Sequence, residues 1–269
     1  MQSNEYLMES DEEVLRLDAK TDSKVVENHA FWAGIKPGMR VADICCGSGK
    51  TTSVLYKLIQ PGGVAVGVDG SKNRIEYAKG HYGDQGLDFI CKDIREPLGD
   101  LGMFDFVWVR FLLEYYLSNS FDIVKNISGI VKPGGILCLI DLDHNCLNHF
   151  APSQSLERTI SSIIKYLEEK ANFDPYAGRK LYSHLYTLGY YDINVDVAAH
   201  HLIFGKLKDV DAFNWIKKIE VISRKIHYPF EEYPGGYEEF SEEFNRFFAD
   251  PGRFTYTPVI LCKGQKPIS

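Results

Sequence analysis

Several features that would assign this chain quickly are missing. Its six cysteines contain no CxxC pair, so neither a disulfide framework nor an extracellular setting is expected; reduced thiols in the cytoplasm are the default. No apolar run approaches the ~20 residues of a membrane span. The N-terminus is acidic and polar, unlike a signal peptide. Dense basic stripes are absent and the formal net charge is −7, which argues against bulk nucleic-acid binding. No internal repeat or low-complexity linker interrupts the 269 residues, a length sufficient for one large core and an added lobe. No metal constellation stands out: Asp141-Leu-Asp-His144 carries donors, but at consecutive positions, which is poor ligand spacing.

What is present begins with Val41-Ala-Asp-Ile-Cys-Cys-Gly-Ser-Gly-Lys-Thr-Thr52, followed by Val64-Ala-Val-Gly-Val-Asp69. An apolar run ends in a small-residue loop, a helix-like segment starts at once, and a second apolar run ends in a carboxylate. Glycines let a ligand approach the backbone, the helix start offers free N–H groups, and the second-strand carboxylate suits ribose hydroxyls. This predicts a nucleoside-binding βαβ unit. A phosphate loop of the form G-x-x-x-x-G-K-[ST] would need glycine at position 44, which is Ile44. A dinucleotide fingerprint G-x-G-x-x-G would need glycine at position 52, which is Thr52.

Apolar runs at 41–45, 64–68, 87–91, 104–109 and 136–140 suit strands covered on both faces. Helical periods lie between them, as at Val54, Leu55, Leu58 and Ile59. Alternation of this kind predicts a parallel sheet with right-handed crossovers, with ligands beyond the carboxyl ends of the strands. Asp43, Asp69, Asp93, Arg110 and Asp141 are all expected at such ends, converging on one crevice. The turn Lys132-Pro-Gly-Gly135 reads as a helix stop. Before the first strand, Ser10-Asp-Glu-Glu13 reads as a capping box, opening a helix from 11 to about 20, with a second from 22 to about 33. Later helices are expected at 155–172, 178–189, 209–226 and 237–249. A strand is expected at 191–204, with an antiparallel last strand at 254–262.

Asp43-Ile-Cys-Cys-Gly-Ser-Gly49 resembles motif I, D-x-G-x-G-x-G, of class I S-adenosylmethionine-dependent methyltransferases, with Cys45 in place of the first glycine. The paired cysteines resemble the ubiquinone/menaquinone methyltransferase branch. Asp69 matches the acidic residue of motif II. Phe89-Ile-Cys-Lys-Asp-Ile94 resembles the adenine-contacting segment. Phe104-Asp-Phe-Val-Trp-Val-Arg110 resembles the motif-IV strand, and Lys132-Pro-Gly-Gly-Ile-Leu-Cys-Leu-Ile-Asp141 the turn and fifth strand. The segment Tyr6…Glu13-x-x-Arg16-Leu17 resembles a lid that folds over the cofactor in small-molecule methyltransferases.

The resemblance implies a Rossmann-like α/β fold: a parallel sheet with an antiparallel last strand, flanked by helices, with a helical lid or cap. Three regions are expected: an N-terminal lid at 1–34, a cofactor-binding core at 35–145, and the remaining helices and strands with an inserted cap at 146–269. It implies S-adenosylmethionine as cofactor, S-adenosylhomocysteine as product, and a small-molecule O, N or C acceptor. Cofactor-binding residues would be Asp43, Gly47, Gly49, Asp69, Gly70, Ser71, Asp93, Ile94 and Arg110. Superfamily members that methylate amino groups of bases or glutamine often carry Asn-Pro-Pro-Tyr after the fourth strand; this chain does not. If a general base is needed, His144 titrates near neutrality and Tyr6 sits on the lid; Glu114, Tyr115, Tyr116, Asp141, Asp143 and His149 are further candidates. A homodimer is compatible with this reading. The competing readings are a noncatalytic S-adenosylmethionine-binding module and an ATP- or NAD-binding α/β enzyme. Each site residue also has a plainer role: Asp43 as a backbone cap, Arg110 as partner of a buried acid, His144 as a surface polar group. Asp69, at a strand end, is expected to contribute little to stability.

Overall fold

The expected strands line up around a central reversal of chain direction across the sheet. The computed structural model describes residues 13–268. Strand β1 (Arg40–Ile44) lies between β2 (Val64–Asp69) and β4 (Phe104–Arg110), parallel to both. β3 (Leu87–Cys91) extends the sheet beyond β2, and β5 (Val131–Leu142) extends it beyond β4. The chain thus builds outward from β1 on one side, then returns to build on the other. The loops after β1 and β4 part at this point and leave a crevice. β8 (Phe254–Gln265) runs antiparallel beside β5. A two-residue strand β6 (His149–Phe150) and the long β7 (Tyr191–Phe204) both pair antiparallel with β8. A parallel sheet with an antiparallel edge is therefore observed, as expected.

Helices cover both faces. α2 (Ser23–Ala33) is started by Asp22, whose side chain accepts from the N–H groups of Lys24 and Val25, and is stopped by left-handed Gly34. It packs with α3 (Lys50–Leu58) over Val41, Phe106 and Trp108. α5 (Ser120–Ser128) and α7 (Leu181–Thr187) cover the other face, over Val107, Leu137 and Leu139. α4 (Lys72–Tyr82) flanks β2 and β3. A third apolar cluster joins α6 (Gln154–Ala171), α8 (Asp209–Ile226) and α9 (Gly236–Ala249), dominated by Phe240, Phe244, Phe248 and Trp215. Each such side chain contributes roughly 1.5–3 kcal/mol of apolar transfer when fully buried. The first helix, α1 (Glu13–Lys20), touches α8.

Two local expectations are corrected. Lys132-Pro-Gly-Gly135 does not stop a helix: α5 ends at Ser128, and the tetrapeptide lies within β5, where the pairing with β4 slips between Phe104 and Phe106. The slip accommodates a proline that cannot donate to the ladder. The single helix expected at 178–189 is a tight 3₁₀ turn, Ala177–Lys180, followed by the short α7. The Ser10 capping box and Tyr6 lie outside the described residues. None of the described helices is long and apolar enough to cross a membrane, and all six cysteines are unpaired.

Candidate functional site

A cavity of about 1290 Å³ opens at the carboxyl ends of β1, β2 and β4. Its floor is the loop between β1 and α3. Cys45 takes a left-handed conformation (φ 61°) where the related motif carries glycine. Gly49 is left-handed too (φ 85°), and a Cβ there would fall 2.7 Å from the Ala78 Cβ and 2.8 Å from the Phe89 ring. Glycine at 49 therefore serves close packing of α3 on its neighbours, and this residue does not line the cavity. Gly47, Ser48 and Thr51 do line it, at the start of α3.

Asp69 holds this loop in place. Its Oδ2 accepts from the Gly47 N–H at 3.0 Å; its Oδ1 accepts from the Ser71 N–H at 2.9 Å and from Arg74 Nε at 3.0 Å. The residue is only 4% exposed. Three of about four acceptor positions on the carboxylate are filled, leaving one on Oδ2 for a ligand while Arg74 stays in place. The expectation that Asp69 is a lightly held strand-end residue is thus revised: it ties β2, the glycine loop and the start of α4 together. Gly70 and Ser71 line the cavity beside it, Ser71 also capping α4. Asp93 and Ile94 line the adjoining wall, where the Arg95 guanidinium pairs with Asp93 and holds its carboxyl below the usual range.

Asp43 also lines the cavity; it accepts from Thr52 Oγ1 at 2.7 Å, and burial pushes its carboxyl up to about 7. Arg110 stands at the other end. Burial brings its guanidinium down to about 10, and its Nε meets no acceptor among the described residues. Its carbon lies 4.1 Å from the centre of the Phe111 ring. An unpaired buried cation is costly unless a ligand completes it.

The residues after β4 form the far wall. Asp141 is not part of the lining; its Oδ2 accepts from the backbone N–H groups of Leu112, Leu113 and Glu114 and so shapes that wall. Burial and the nearby Glu114 push the Asp141 carboxyl up, against these donors. Glu114, Tyr115 and Tyr116 face the cavity. Glu114 is oriented by Asn145, whose Nδ2 donates to Oε2 at 2.6 Å, and burial pushes the Tyr116 phenol up to about 12. His144 lies outside the lining, edge-on to Tyr176. Asp143 pairs with Arg179. His149 Nε2 donates to the Cys146 carbonyl and its Nδ1 meets the Thr255 hydroxyl, within a cage of Trp215, Phe247 and Phe248, and burial lowers it to about 4.

From α1, Leu17 and Lys20 cover part of the opening. The helix is anchored by Lys50 Nζ, which donates to the Asp18 carbonyl at 2.8 Å, and by the Tyr82 hydroxyl, which donates to the Asp18 carboxylate at 2.5 Å. Lys20, Arg74 and the end of α6 at Lys170 are cavity residues that sequence reasoning did not single out. Lys20 and Lys170 reach the crevice from elements remote in sequence, whereas Arg74 lies five residues after Asp69, in the first turn of α4.

Comparison with known proteins agrees with this layout. Residues 42–139 match the family described as a methyltransferase domain. A demethylmenaquinone methyltransferase of Staphylococcus aureus is 26% identical over 138 residues, covering 48% of this chain and 57% of its own length. The chain thus spans little more than half the length of the curated relatives it matches. Among solved structures, a cyclopropane synthase from Mycobacterium tuberculosis aligns with a TM-score of 0.58 at 14% identity, covering 97% of this chain and 96% of that one. Phosphoethanolamine N-methyltransferase 2 of Haemonchus contortus, in complex with S-adenosyl-L-methionine, aligns with a TM-score of 0.53 at 15% identity, covering 91% of this chain and 52% of that one. The domain match, the motif order and the shared fold together identify residues 42–139 as a methyltransferase domain of class I architecture.

Proposed function

We propose that the chain is an S-adenosylmethionine-dependent methyltransferase acting on a small molecule. The observation that carries this reading is the charge layout of the cavity. A buried guanidinium, Arg110, has an unpartnered Nε at one end, and a carboxylate, Asp69, anchors the glycine loop at the other. S-adenosylmethionine has matching features: an amino-acid carboxylate at one end and a ribose diol with a purine at the other. Arg110 would hold the carboxylate, Asp69 would accept from a ribose hydroxyl, and Asp93 and Ile94 would flank the purine. Gly47, Gly70 and Ser71 would let the ligand lie against backbone, with Asp43 beside it and Gly49 supporting the loop from below.

When bound, the sulfonium supplies an activated methyl group with a neutral leaving group. The chain's own task is then to align the acceptor and exclude water. Leu17 on α1 closes over the Gly47 side: a Cβ on Gly47 would meet the Leu17 Cδ1 at 3.1 Å. This packing supports a lid role for the N-terminal region. Tyr116, held protonated by burial, can donate a hydrogen bond to the acceptor. Glu114, fixed by Asn145, can receive a proton from it. Because Glu114 faces the cavity and His144 does not, we assign the proton-accepting role to Glu114.

Calorimetric titration of the full chain with S-adenosylhomocysteine and with MgATP tests the reading. Binding of the former, with no specific binding of the latter, is expected. Tight MgATP binding alone would overturn it.

A further inference from the structure

Behind Phe111 the main cavity adjoins a second, smaller chamber of about 30 Å³, walled by α1, β7 and α8. Lys20, Phe111, Glu114 and Tyr115 line both spaces. We propose that the methyl acceptor is a small organic anion whose charged head enters this chamber and is received by Lys20 and Lys218. This rests on the methyltransferase reading and adds the chemical class of the acceptor.

Size comes first. A site holding one water needs roughly 10–15 Å³ of such volume, so the chamber has room for about two oxygen atoms, the size of a carboxylate head. The body of the acceptor would stay in the larger cavity, against the rings of Phe111 and Tyr115.

Charge is the second point. The Lys20 ammonium sits 5.6 Å from the centre of the Phe111 ring, and that of Lys218 sits 5.4 Å from Trp215. Neither forms an ion pair among the described residues. Lys218 makes only long contacts, 3.4 Å to Asn145 Oδ1 and 3.4 Å to Cys146 Sγ. Arg16 is different, being held by Glu13 through two contacts of 2.7 Å. The sole carboxylate among the described lining residues is Glu114, and Asn145 already engages it. His200 and His201 are pushed toward the neutral form by burial, and for His201 the value falls to about 3. They add hydrogen-bonding capacity without charge. Burial and the charges of Arg16 and Lys218 bring Lys20 down to about 7. Three cations are thus gathered beside the single carboxylate among the described lining residues, Glu114, and an incoming anion relieves their repulsion.

Three aromatic probes of similar size test the inference on the full chain, titrated with and without S-adenosylhomocysteine: benzoate, its neutral planar isostere benzamide, and cationic benzylammonium. Benzoate is expected to bind at least tenfold tighter than benzamide, with benzylammonium weakest. Lys218→Met should abolish the preference and Lys218→Arg should retain it. Lys20→Met, on a different helix, gives an independent reading should Lys218→Met lower the Tm. Equal binding of benzoate and benzamide, or a preference that survives both Met variants, overturns the proposal. If S-adenosylhomocysteine fails to bind while benzoate keeps its preference, the anion site stands and the methyltransferase reading falls.

Discussion

Removing the Asp69 carboxylate should damage the fold as well as the ligand site. The carboxylate is nearly sequestered and receives two backbone N–H groups and Arg74 Nε. Asp69→Ala would break the buried contact with the Arg74 guanidinium, whose side chain is only 11% exposed. Breaking a buried pair from one side costs about 3–5 kcal/mol. At about 2–4 °C per kcal/mol for a chain of this size class, the Tm should fall by roughly 6–20 °C. Thermal and urea unfolding followed by circular dichroism would read this directly. Asp69→Asn should fall between, keeping one acceptor and losing the charge. Asp69→Ala combined with Arg74→Met should cost less than the sum of the two single changes, since both remove one shared contact. An Asp69→Ala protein within about 1 kcal/mol of wild type, the size of an ordinary surface change, would refute the loop-anchoring role.

Arg110→Met should act in the opposite sense on stability, raising the Tm by removing a half-buried cation whose Nε meets no acceptor among the described residues. It should also weaken S-adenosylhomocysteine by about 10- to 150-fold, from a charge-assisted bond of roughly 1.5–3 kcal/mol; unchanged affinity by calorimetry would move the carboxylate elsewhere. At Cys45 the left-handed backbone predicts the thermal order Gly at or above wild type, and Val below both, the strain being roughly 1–2 kcal/mol; a Val variant as stable as wild type would contradict it. Gly49→Ala combines left-handed strain with a clash against Ala78 and Phe89 and should cost roughly 2–4 kcal/mol in urea unfolding; a loss under 1 kcal/mol would show that α3 can shift. Burial depresses His149 to about 4 and His201 to about 3 from an unfolded value of 6.5. These two rings therefore lower stability as pH drops from about 6.5 toward 4, against the opposite contribution of the Asp43 carboxyl held up near 7. His149→Gln should flatten the fall in stability across that window, and an unchanged pH slope in that variant would show that the ring is protonated in the fold.

The sheet was legible because burial on both faces leaves continuous apolar runs, and the glycine loop because close packing and left-handed backbone leave small residues in fixed order. Asp43, Gly47, Asp69, Gly70, Ser71, Asp93, Ile94 and Arg110 were found through that order. Lys132-Pro-Gly-Gly135 misled because Pro-Gly reads alike in a helix stop and a slipped strand. The roles of Asp69 and Arg74 were hidden because a carboxylate's partners depend on which donors the fold brings near. His144 was attractive for its intrinsic titration, a property of the residue type, while placement in the cavity is decided by the turn after β5. Lys20, His200 and Lys218 come together from α1, β7 and α8, separated by nearly two hundred positions, and no periodicity in one segment encodes such a meeting.

Helix α1 presents Leu17 to the glycine loop and Lys20 to the chamber behind Phe111. On the two proposals above, one short helix would serve both ligands. Whichever ligand docks first bears the entropy of seating it, and the second finds it seated. Such linkage is reciprocal: the factor by which nucleoside tightens the acceptor must equal the factor by which acceptor tightens the nucleoside. The Asp18 carbonyl and carboxylate, gripped by Lys50 and Tyr82, are the hinge-side latch of that coupling. Loosening them should erode cooperativity between the two ligands before it erodes the affinity for either one alone.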